Sequence, residues 1–255
     1  MAQGISVKFA SYKDTIPRLL KLIKLDQELV KHNKIVLKPF LRNSDSDNTQ
    51  AEFVEAILQY CMQHKRPEAQ ILIAEGSDGE DTTLLFDSLG YKNLAEKYSV
   101  GLVDLNNTEV QEIQDGEFLK FSSIYYPKIL SDSFIISLPK LHEDEELEVV
   151  ASLSNMIGAF PAAYYKGFFS RNKSKIRKWP MKYTLHDIIK CKMPNLAIID
   201  ASHKGFLVIG KPLAADKHAA KILGREWRAI SHLKLLDESI VEEINLDKKP
   251  KTIAK

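Results

Sequence analysis

The chain has 255 residues, 44% of them hydrophobic, and can bury a large core in one domain or in two small lobes. Its 36 Lys and Arg nearly balance its 34 Asp and Glu, so net charge alone indicates neither nucleic acid nor a membrane as a partner. Two cysteines and the lack of a long apolar run exclude a disulfide framework, a four-cysteine metal site and a membrane span, and they favour a cytoplasmic protein without membrane contact.

Short apolar strands and helices with apolar spacing alternate along the chain. In chain order the predicted elements are a helix over 15–32, a strand over 34–38, a helix over 49–64, a strand over 71–76, a helix over 82–89, strands over 99–105, 116–121 and 133–138, a helix through 147–156, strands over 195–200 and 206–210, and a helix over 213–223. Parallel strands need helical crossovers, so this order predicts an α/β fold, a mainly parallel sheet flanked by helices.

The division into domains follows from where the apolar pattern stops. We expect one α/β domain over 1–240, with a lobe junction near 106–116 as the alternative, because a polar stretch there separates the first strand and helix units from the rest. Two lobes would place a crevice at the carboxyl ends of the strands. Residues 241–255 are expected to form a charged, disordered tail.

Polar side chains stand where several predicted strands end. Lys38, Glu75 and Asp200 end strands, and Lys140 and His142 follow the apolar run SFIISL. Since the carboxyl ends of parallel strands meet at one edge of a sheet, these residues are expected to line a ligand-binding crevice. Lys140 and His142 are the predicted catalytic pair, with His142 as acid or base, and the other three are predicted to bind the ligand. The alternative is that Lys140 and His142 are solvated loop side chains.

The loop after Glu75 is acidic and includes Asp78 and Asp81. Such loops suit Mg²⁺, so a divalent metal is considered, with its identity unknown. Capping of the next helix is favoured for Asp81, and ligand binding is predicted for Glu75 and Asp78. The loop lacks GxGxxG and GxxxxGK(S/T), which argues against a dinucleotide or P-loop site. Asn155 is expected either to shape a turn or to donate to the ligand.

Several ordered segments carry a resemblance to a known family. They are VLKP (36–39), NTQAEFVEAIL (48–58), the run from ILIAEG to VGLVDL (71–105), SDSFIISLPKLH (131–142), SNMIG (154–158), PNLAIIDA (194–201) and LAADKHAAKILG (213–224). In their order and spacing, over about residues 35–233, they resemble the family catalogued as domain of unknown function 362. The resemblance implies an α/β core and a bacterial or archaeal protein, and it supports a functional role for Lys140, although the family has no assigned activity.

The chain also departs from that family. Many members carry a ferredoxin-like module with CxxCxxC clusters, which this sequence lacks, so the resemblance implies no iron–sulfur cluster here and, indirectly, a separate ferredoxin-type partner. Ser154 stands before Asn155 where the family usually has Lys. Asp200 is followed only by ASHKG, where the family has a glycine-rich acidic loop. These departures are consistent with a lost ligand or a lost activity.

One segment is strongly basic. Residues 149–186 contain no Asp or Glu but seven Lys and Arg, and within 163–183 the cations alternate with aromatic residues. Cations can neutralise phosphates while aromatic rings stack on bases, although aromatic packing onto the core is the favoured interpretation. The leading hypothesis is a protein that binds a small anionic molecule in the crevice, with catalysis undecided. The alternative is a non-catalytic protein that binds nucleic acid or an acidic partner through 163–183.

Overall fold

The protein is described by a computed structural model over residues 4–42, 47–178 and 180–247, with side chains described as far as residue 240. The strands are β1 (Ile5–Lys8), β2 (Lys34–Pro39), β3 (Gln70–Glu75), β4 (Gly101–Asp104), β5 (Val110–Ile113), β6 (Ile124–Pro127), β7 (Phe134–Leu138), β8 (His142–Asp144), β9 (Glu148–Val150), β10 (Leu196–Ala201) and β11 (Phe206–Gly210). The α-helices are α1 (Tyr12–Leu22), α2 (Leu25–Leu29), α3 (Ala51–His64), α4 (Thr82–Ser88), α5 (Tyr91–Tyr98), α6 (Lys128–Ser131), α7 (Ala162–Tyr165), α8 (Met181–Cys191), α9 (Pro212–Ile222) and α10 (Ser231–Asp247).

A seven-stranded sheet forms the centre of the fold, in the order β1-β11-β10-β7-β2-β3-β4. The run from β10 to β4 is parallel, and β11 pairs antiparallel with both of its neighbours. The predicted α/β fold with a mainly parallel sheet is therefore confirmed. Strands from both sides of residues 106–116 belong to this one sheet.

The strands read as continuous apolar runs because both faces of the sheet are covered. Along β2, Ile35 and Leu37 pack into a core with helices α1, α2 and α3, while Val36 packs into a second core with α8, α9 and α10. Side chains alternate along a strand, so Lys38 follows Val36 and not Leu37. A buried lysine at this position is directed toward the second core, at the carboxyl end of the strand.

The single helix predicted over 15–32 is wrong, because the chain forms two helices there, α1 and α2. Lys24 lies between them with a φ of 56°, a left-handed conformation that an α-helix cannot contain. The stop predicted at Gly90 agrees with its φ of 82° directly after the Leu89 cap of α4. Asp81 caps α4 as expected, accepting hydrogen bonds from the backbone of Thr83 and Leu84.

The strand predicted over 116–121 is also wrong. The backbone N–H groups of Leu119, Lys120 and Phe121 all donate to the carboxylate of Asp187, at 2.8–3.0 Å. Amides bound to a side chain cannot pair with a neighbouring strand, so this segment forms a loop between β5 and β6.

The helix predicted through 147–156 is replaced by a β-hairpin and a short 3₁₀ helix. β8 and β9 pair through His142 and Val150, and Glu148 has a φ of 62°, which breaks any helix. Its carboxylate accepts a hydrogen bond of 2.8 Å from the backbone of Ser231 at the start of α10. The 3₁₀ helix then spans Ser154–Ala159. The apolar residues of this stretch have helical spacing because nearly all of them are buried, although the stretch is not an α-helix.

The C-terminal segment differs in part from its prediction. Helix α10 continues to Asp247, so residues 241–247, which were expected to belong to a disordered tail, are helical. Apolar residues such as Ile240 and Ile244 continue the helical spacing. The rest of the predicted tail lies outside the described residues. Within the described ranges, no helix is long and apolar enough to cross a bilayer.

His232 predicts a measurable pH dependence of stability. It is buried on α10, and among the described residues its Nε2 atom has no hydrogen-bond partner. Burial lowers the pKa of His232 to about 4 from an ordinary value near 6.5. Between these values the unfolded chain binds the proton more readily, so stability is complete above pH about 6.5 and falls as the pH drops toward 4, by up to about 1.4 kcal/mol per pH unit.

Urea unfolding at a series of pH values checks this expectation. His232→Leu removes the titrating group and should flatten the loss of stability below pH about 6.5 relative to the wild type. If the wild type and the variant lose stability in parallel over this range, the buried imidazole is not its source.

Candidate functional site

Two charged side chains meet at the carboxyl ends of the adjacent parallel strands β2 and β3. Lys38 Nζ lies 2.5 Å from Glu75 Oε2, and the exposed fractions of the two residues are 0% and 2%. Both residues stand at the end of a buried apolar strand. Their side chains point to the face of the sheet that is covered by the segment after β9. The pair is a buried ion pair at the edge where ligands bind in open α/β sheets.

The 3₁₀ helix Ser154–Ala159 closes over this pair. Lys38 Nζ also donates to the backbone oxygen of Asn155 at 2.7 Å and to its Oδ1 at 3.1 Å. The Asn155 amide in turn donates to the Lys38 carbonyl at 2.9 Å and to Ser137 Oγ at 3.0 Å. The two oxygens of Asn155 therefore hold the ammonium, while its side-chain nitrogen holds the backbone of the same lysine.

The close approach depends on glycine. A Cβ atom at Gly158 would lie 2.5 Å from Glu75 Oε1 and 2.6 Å from Lys38 Nζ. A Cβ at Gly76 would lie 2.4 Å from the Gly158 carbonyl oxygen. The two glycines allow the backbone after β9 to pass directly over the end of β3.

Burial shifts the protonation of these groups toward their neutral forms. It raises the pKa of the Glu75 carboxyl, against the opposing effect of Lys38, and it lowers the pKa of Lys38, against the opposing effect of Glu75. A second buried lysine, Lys173, donates to the Gly76 carbonyl at 2.6 Å, and burial lowers its pKa to about 8. The two shifts bring the pKa values of the Glu75 carboxyl and the Lys38 ammonium closer together than they are in water.

Glu75 also borders a small cavity of about 220 Å³. We call it the Arg42–Arg177 cavity, after the two guanidinium groups in its wall. Its lining residues are Phe40, Leu41, Arg42, Glu75, Gly76, Asp78, Asp144, Glu146, Leu147, Ile157, Asn172 and Arg177. The cavity thus joins the end of β3 to the β8–β9 hairpin and to the basic segment.

Carboxylates hold both arginines in place. Arg42 binds Asp144 and Asp47, each at 2.9 Å. Arg177 binds Glu146 at 2.9 Å and also contacts Asp78. The four carboxylates that line the cavity, together with Asp47, stand beside two arginines and the buried Lys38 and Lys173, so the cations of the site are compensated by its own carboxylates.

The structure distributes the predicted site residues over two neighbouring groups. Glu75 and Asp78 border the cavity, with Lys38 and Asn155 directly behind Glu75. His142 lies behind Arg42, with its Nε2 atom 3.5 Å from an Arg42 nitrogen. Its Nδ1 atom is 2.9 Å from the Lys140 carbonyl, and burial lowers the pKa of His142.

Lys140 and Asp200 do not border this cavity. Their backbones form a parallel bridge that extends the pairing of β7 with β10. The Asp200 carboxylate accepts hydrogen bonds from the Tyr12 hydroxyl at 2.6 Å and from the Ser202 backbone at 2.9 Å. Burial and this carboxylate raise the pKa of Tyr12 above its ordinary range. The buried carboxylate of Asp200 thus ties α1 to the end of β10.

The sequence did not single out Arg42, and it indicated Lys173 and Arg177 only as cations of the basic segment 163–183. Arg42 opens a polar loop that resembles any surface connection, and the two others stand in a basic run where cations are usually solvated. One signal was present: Arg42 follows β2 by three residues and so belongs to the same strand end as Lys38.

Residues 163–183 use several of their cations and rings internally. Lys173 is buried, and Arg177 is paired with Asp78 and Glu146. The Tyr165 ring packs edge-on against Phe160, with centroids 4.8 Å apart. Trp179 lies outside the described residues.

Two other buried polar residues have local roles. Ser154, which stands where the family usually has Lys, donates to the Val149 carbonyl and accepts from the Ala151 backbone, each at 2.9 Å. Asp216 accepts hydrogen bonds from the backbone of Ser152 and Leu153 and caps the turn before the 3₁₀ helix. Among the described residues, no group of three or more His, Cys, Asp or Glu side chains is arranged to hold a metal ion.

The sheet and the polar edge define an α/β protein with a buried Lys–Glu pair beside a small cavity. The family described as Domain of unknown function (DUF362) matches residues 35–206, more than half of the chain. The protein belongs to this family, and the resemblance drawn from its sequence is confirmed. No curated protein is similar enough to count as a match.

A solved structure with a similar fold is the lactate racemase apoprotein from Thermoanaerobacterium thermosaccharolyticum. The TM-score is 0.60 at 13% sequence identity, over 88% of this chain and 58% of that one. This chain therefore spans somewhat more than half the length of that protein. At this identity the likeness shows a shared fold.

Proposed function

We propose that the protein binds a small carboxylate- or phosphate-bearing molecule in the Arg42–Arg177 cavity. The observation that carries this proposal is the position of two guanidinium groups in the wall of a cavity that Glu75 also borders. Arginine binds carboxylates and phosphates through paired N–H donors. A guanidinium has five such donors, so an anion can bind while the carboxylate partners of each arginine remain in place.

The size of the cavity restricts the ligand. Pockets for drug-sized molecules enclose about 300–1,000 Å³, and this cavity encloses about 220 Å³. A ligand of this site is therefore a molecule of a few carbon atoms, or an inorganic anion. Because the carboxylates of the site compensate its cations, a ligand with a small negative charge fits it better than a polyanion does.

Glu75 gives the site an acid–base group. It is paired with Lys38, its pKa is raised by burial, and it lies at the cavity wall. General acids and bases work best when their pKa approaches the operating pH. Transfer of a proton between Glu75 and the bound molecule is the reaction step that this arrangement supports. Lys38, as the ammonium partner, would stabilise the Glu75 carboxylate when Glu75 has given up its proton, and His142 would position Arg42.

The fold neighbour suggests one probe. It is titled a lactate racemase apoprotein, and lactate is a small carboxylate of the class that the cavity would accept. Lactate is therefore included here as a test molecule, together with succinate and inorganic phosphate.

Isothermal titration calorimetry with these three probes tests the proposal. We expect saturable binding of at least one probe by the wild type, and binding weaker by about tenfold or more after Arg42→Gln or Arg177→Gln, because each change removes a charged hydrogen-bonding partner of the anion. The matched control is Arg66→Gln, which removes an arginine that is partly exposed and paired with Glu68 outside the cavity. Wild-type affinity is expected for this control.

Two results would contradict the proposal. One is the absence of binding of all three anions by the folded wild type. The other is binding that Arg42→Gln and Arg177→Gln leave unchanged, since the anion would then occupy another place. Thermal unfolding of each variant shows that the comparison concerns folded protein.

A further inference from the structure

Two adjacent phenylalanines stand almost fully in solvent. The exposed fractions of Phe168 and Phe169 are 95% and 98%. They lie at the tip of residues 166–175, which we call the Phe168 loop. Single apolar residues on a surface are ordinary, but two neighbouring aromatic rings that touch almost nothing in the protein are not.

Exposed cations stand close to this tip in the sequence. Lys166, Arg171, Lys175 and Lys178 are all exposed, and the chain from residue 149 to 186 contains no acidic residue. The Lys175 ammonium donates to the Tyr164 carbonyl at 2.9 Å, a contact that leaves its charge uncompensated. The loop and its flanks therefore combine two exposed aromatic rings with four exposed cations.

The base of the Phe168 loop is fixed to the rest of the protein. Lys173 is buried, with its ammonium on the Gly76 carbonyl and its backbone N–H on Asp78 at 2.7 Å. Ser174 donates to the Asn172 carbonyl at 2.8 Å and closes the turn. These hydrogen bonds fix the base of the loop, whereas the two rings at its tip remain in solvent.

We propose that the Phe168 loop docks onto the surface of an anionic lipid bilayer. The rings would enter the interface between headgroups and acyl chains, and the four cations would contact the anionic headgroups. No membrane-crossing helix is needed for such contact, because docking of this kind involves only the interface. This inference is independent of the ligand proposed for the Arg42–Arg177 cavity.

The geometry of the rings favours a bilayer over nucleic acid. A ring that stacks on bases presents one face, while the protein supports the other. Phe168 and Phe169 instead contact each other edge to face, with centroids 4.8 Å apart, and neither ring is covered by the protein. Rings that are open on both sides suit insertion into an apolar medium.

The neighbouring groove also argues against a polyanion. It encloses about 1120 Å³, and carboxylates such as Asp81, Asp87 and Asp104 line it beside Lys166 and Arg171. A nucleic acid backbone laid along this groove would meet negative charge. A bilayer would meet the protruding rings without entering the groove, and Lys175 and Lys178, which do not line the groove, would supply most of the headgroup contact.

Co-sedimentation with lipid vesicles tests the proposal. Vesicles of phosphatidylcholine mixed with phosphatidylserine are compared with vesicles of phosphatidylcholine alone, for the wild type and for the double variant Phe168→Ser, Phe169→Ser. We expect the wild type to bind the mixed vesicles, with weaker binding at high salt, and the double variant to bind at least about tenfold less. The matched control is Leu22→Ser, which removes an exposed apolar residue from α1 and should keep wild-type binding.

The double variant changes only exposed side chains, and an unaltered thermal unfolding curve shows that it is folded. The proposal is overturned if the wild type fails to sediment with mixed vesicles, or if the double variant binds them as well as the wild type does. A wild type that does not bind vesicles but shifts a single-stranded oligonucleotide in an electrophoretic assay, with the shift lost in the double variant, would overturn the proposal and identify the loop as a nucleic-acid contact.

Discussion

Replacement of Lys38 by Met is expected to lower the free energy of unfolding by about 3–5 kcal/mol, because removal of one partner of a buried ion pair leaves the other without compensation. Lys38 and Glu75 are 2.5 Å apart and almost completely buried. The change also leaves the backbone oxygen and Oδ1 of Asn155 without their donor. Urea unfolding followed by circular dichroism measures the loss.

A matched control separates burial from simple loss of a lysine. Lys31 also forms an ion pair, with Glu28 at 2.7 Å, but its side chain is largely exposed. Lys31→Met should change stability by less than about 1 kcal/mol. The double variant Lys38→Met, Glu75→Gln should regain part of the loss, because the carboxyl that lacked a partner becomes a neutral amide. Equal losses for Lys38→Met and Lys31→Met would refute a buried pair.

Gly158→Ala is expected to destabilise the protein by about 1–3 kcal/mol through overpacking. The new methyl group would lie 2.5 Å from Glu75 Oε1 and 2.6 Å from Lys38 Nζ, so the buried ion pair must shift to make room for it. Pushing the pair apart should also weaken binding in the adjoining cavity. Urea unfolding of the purified variant gives the size of the effect.

Gly116→Ala is the control for this change. A Cβ atom at Gly116 would meet no atom within 4 Å, and its φ is not in the left-handed region. Its replacement should therefore alter stability by no more than about 0.5 kcal/mol. If alanine is tolerated equally well at both positions, the close passage of the 3₁₀ helix over Lys38 and Glu75 is not a constraint on the fold.

The meeting of Lys38 with Glu75 could be expected from the sequence, because each residue ends an apolar run and both runs belong to consecutive strand and helix units. Consecutive units place parallel strands side by side, as β2 and β3 are here. The direct contact of Lys38 with Glu75 and their burial could not be predicted from the sequence pattern. The contact and the burial depend on Asn155 and Gly158. The apolar spacing of their segment indicated a helix, but the segment forms a hairpin and a 3₁₀ helix.

The Arg42–Arg177 cavity was not predictable because its parts are distant in the chain. Arg177 meets Glu146 and Asp78 only once the basic segment has folded back over the end of β3. Lys173 shows the same limitation more strongly. Its position in a run of cations favoured a solvated side chain, yet it is fully buried against the Gly76 carbonyl. The local sequence pattern therefore identified the polar residues at the strand ends. The residues that contact them come from distant parts of the chain and could not be identified in this way.

The family match contains both the strand ends and the cavity residues. The family match covers residues 35–206, which include β2, β3, β7 and β10, and so contains the parallel edge where the polar residues collect. Arg42, Asp78, Glu146 and Arg177 all fall within the same range. The cavity is thus formed entirely by the part of the chain that defines the family.

A crystal structure of the protein grown with inorganic phosphate or with lactate is the most direct test of the proposed site. We predict an anion between the guanidinium groups of Arg42 and Arg177, with the Glu75 carboxyl within about 3 Å of it. An anion bound elsewhere, or a cavity that stays without an anion at concentrations that saturate binding in solution, would contradict the assignment of this cavity as the ligand site.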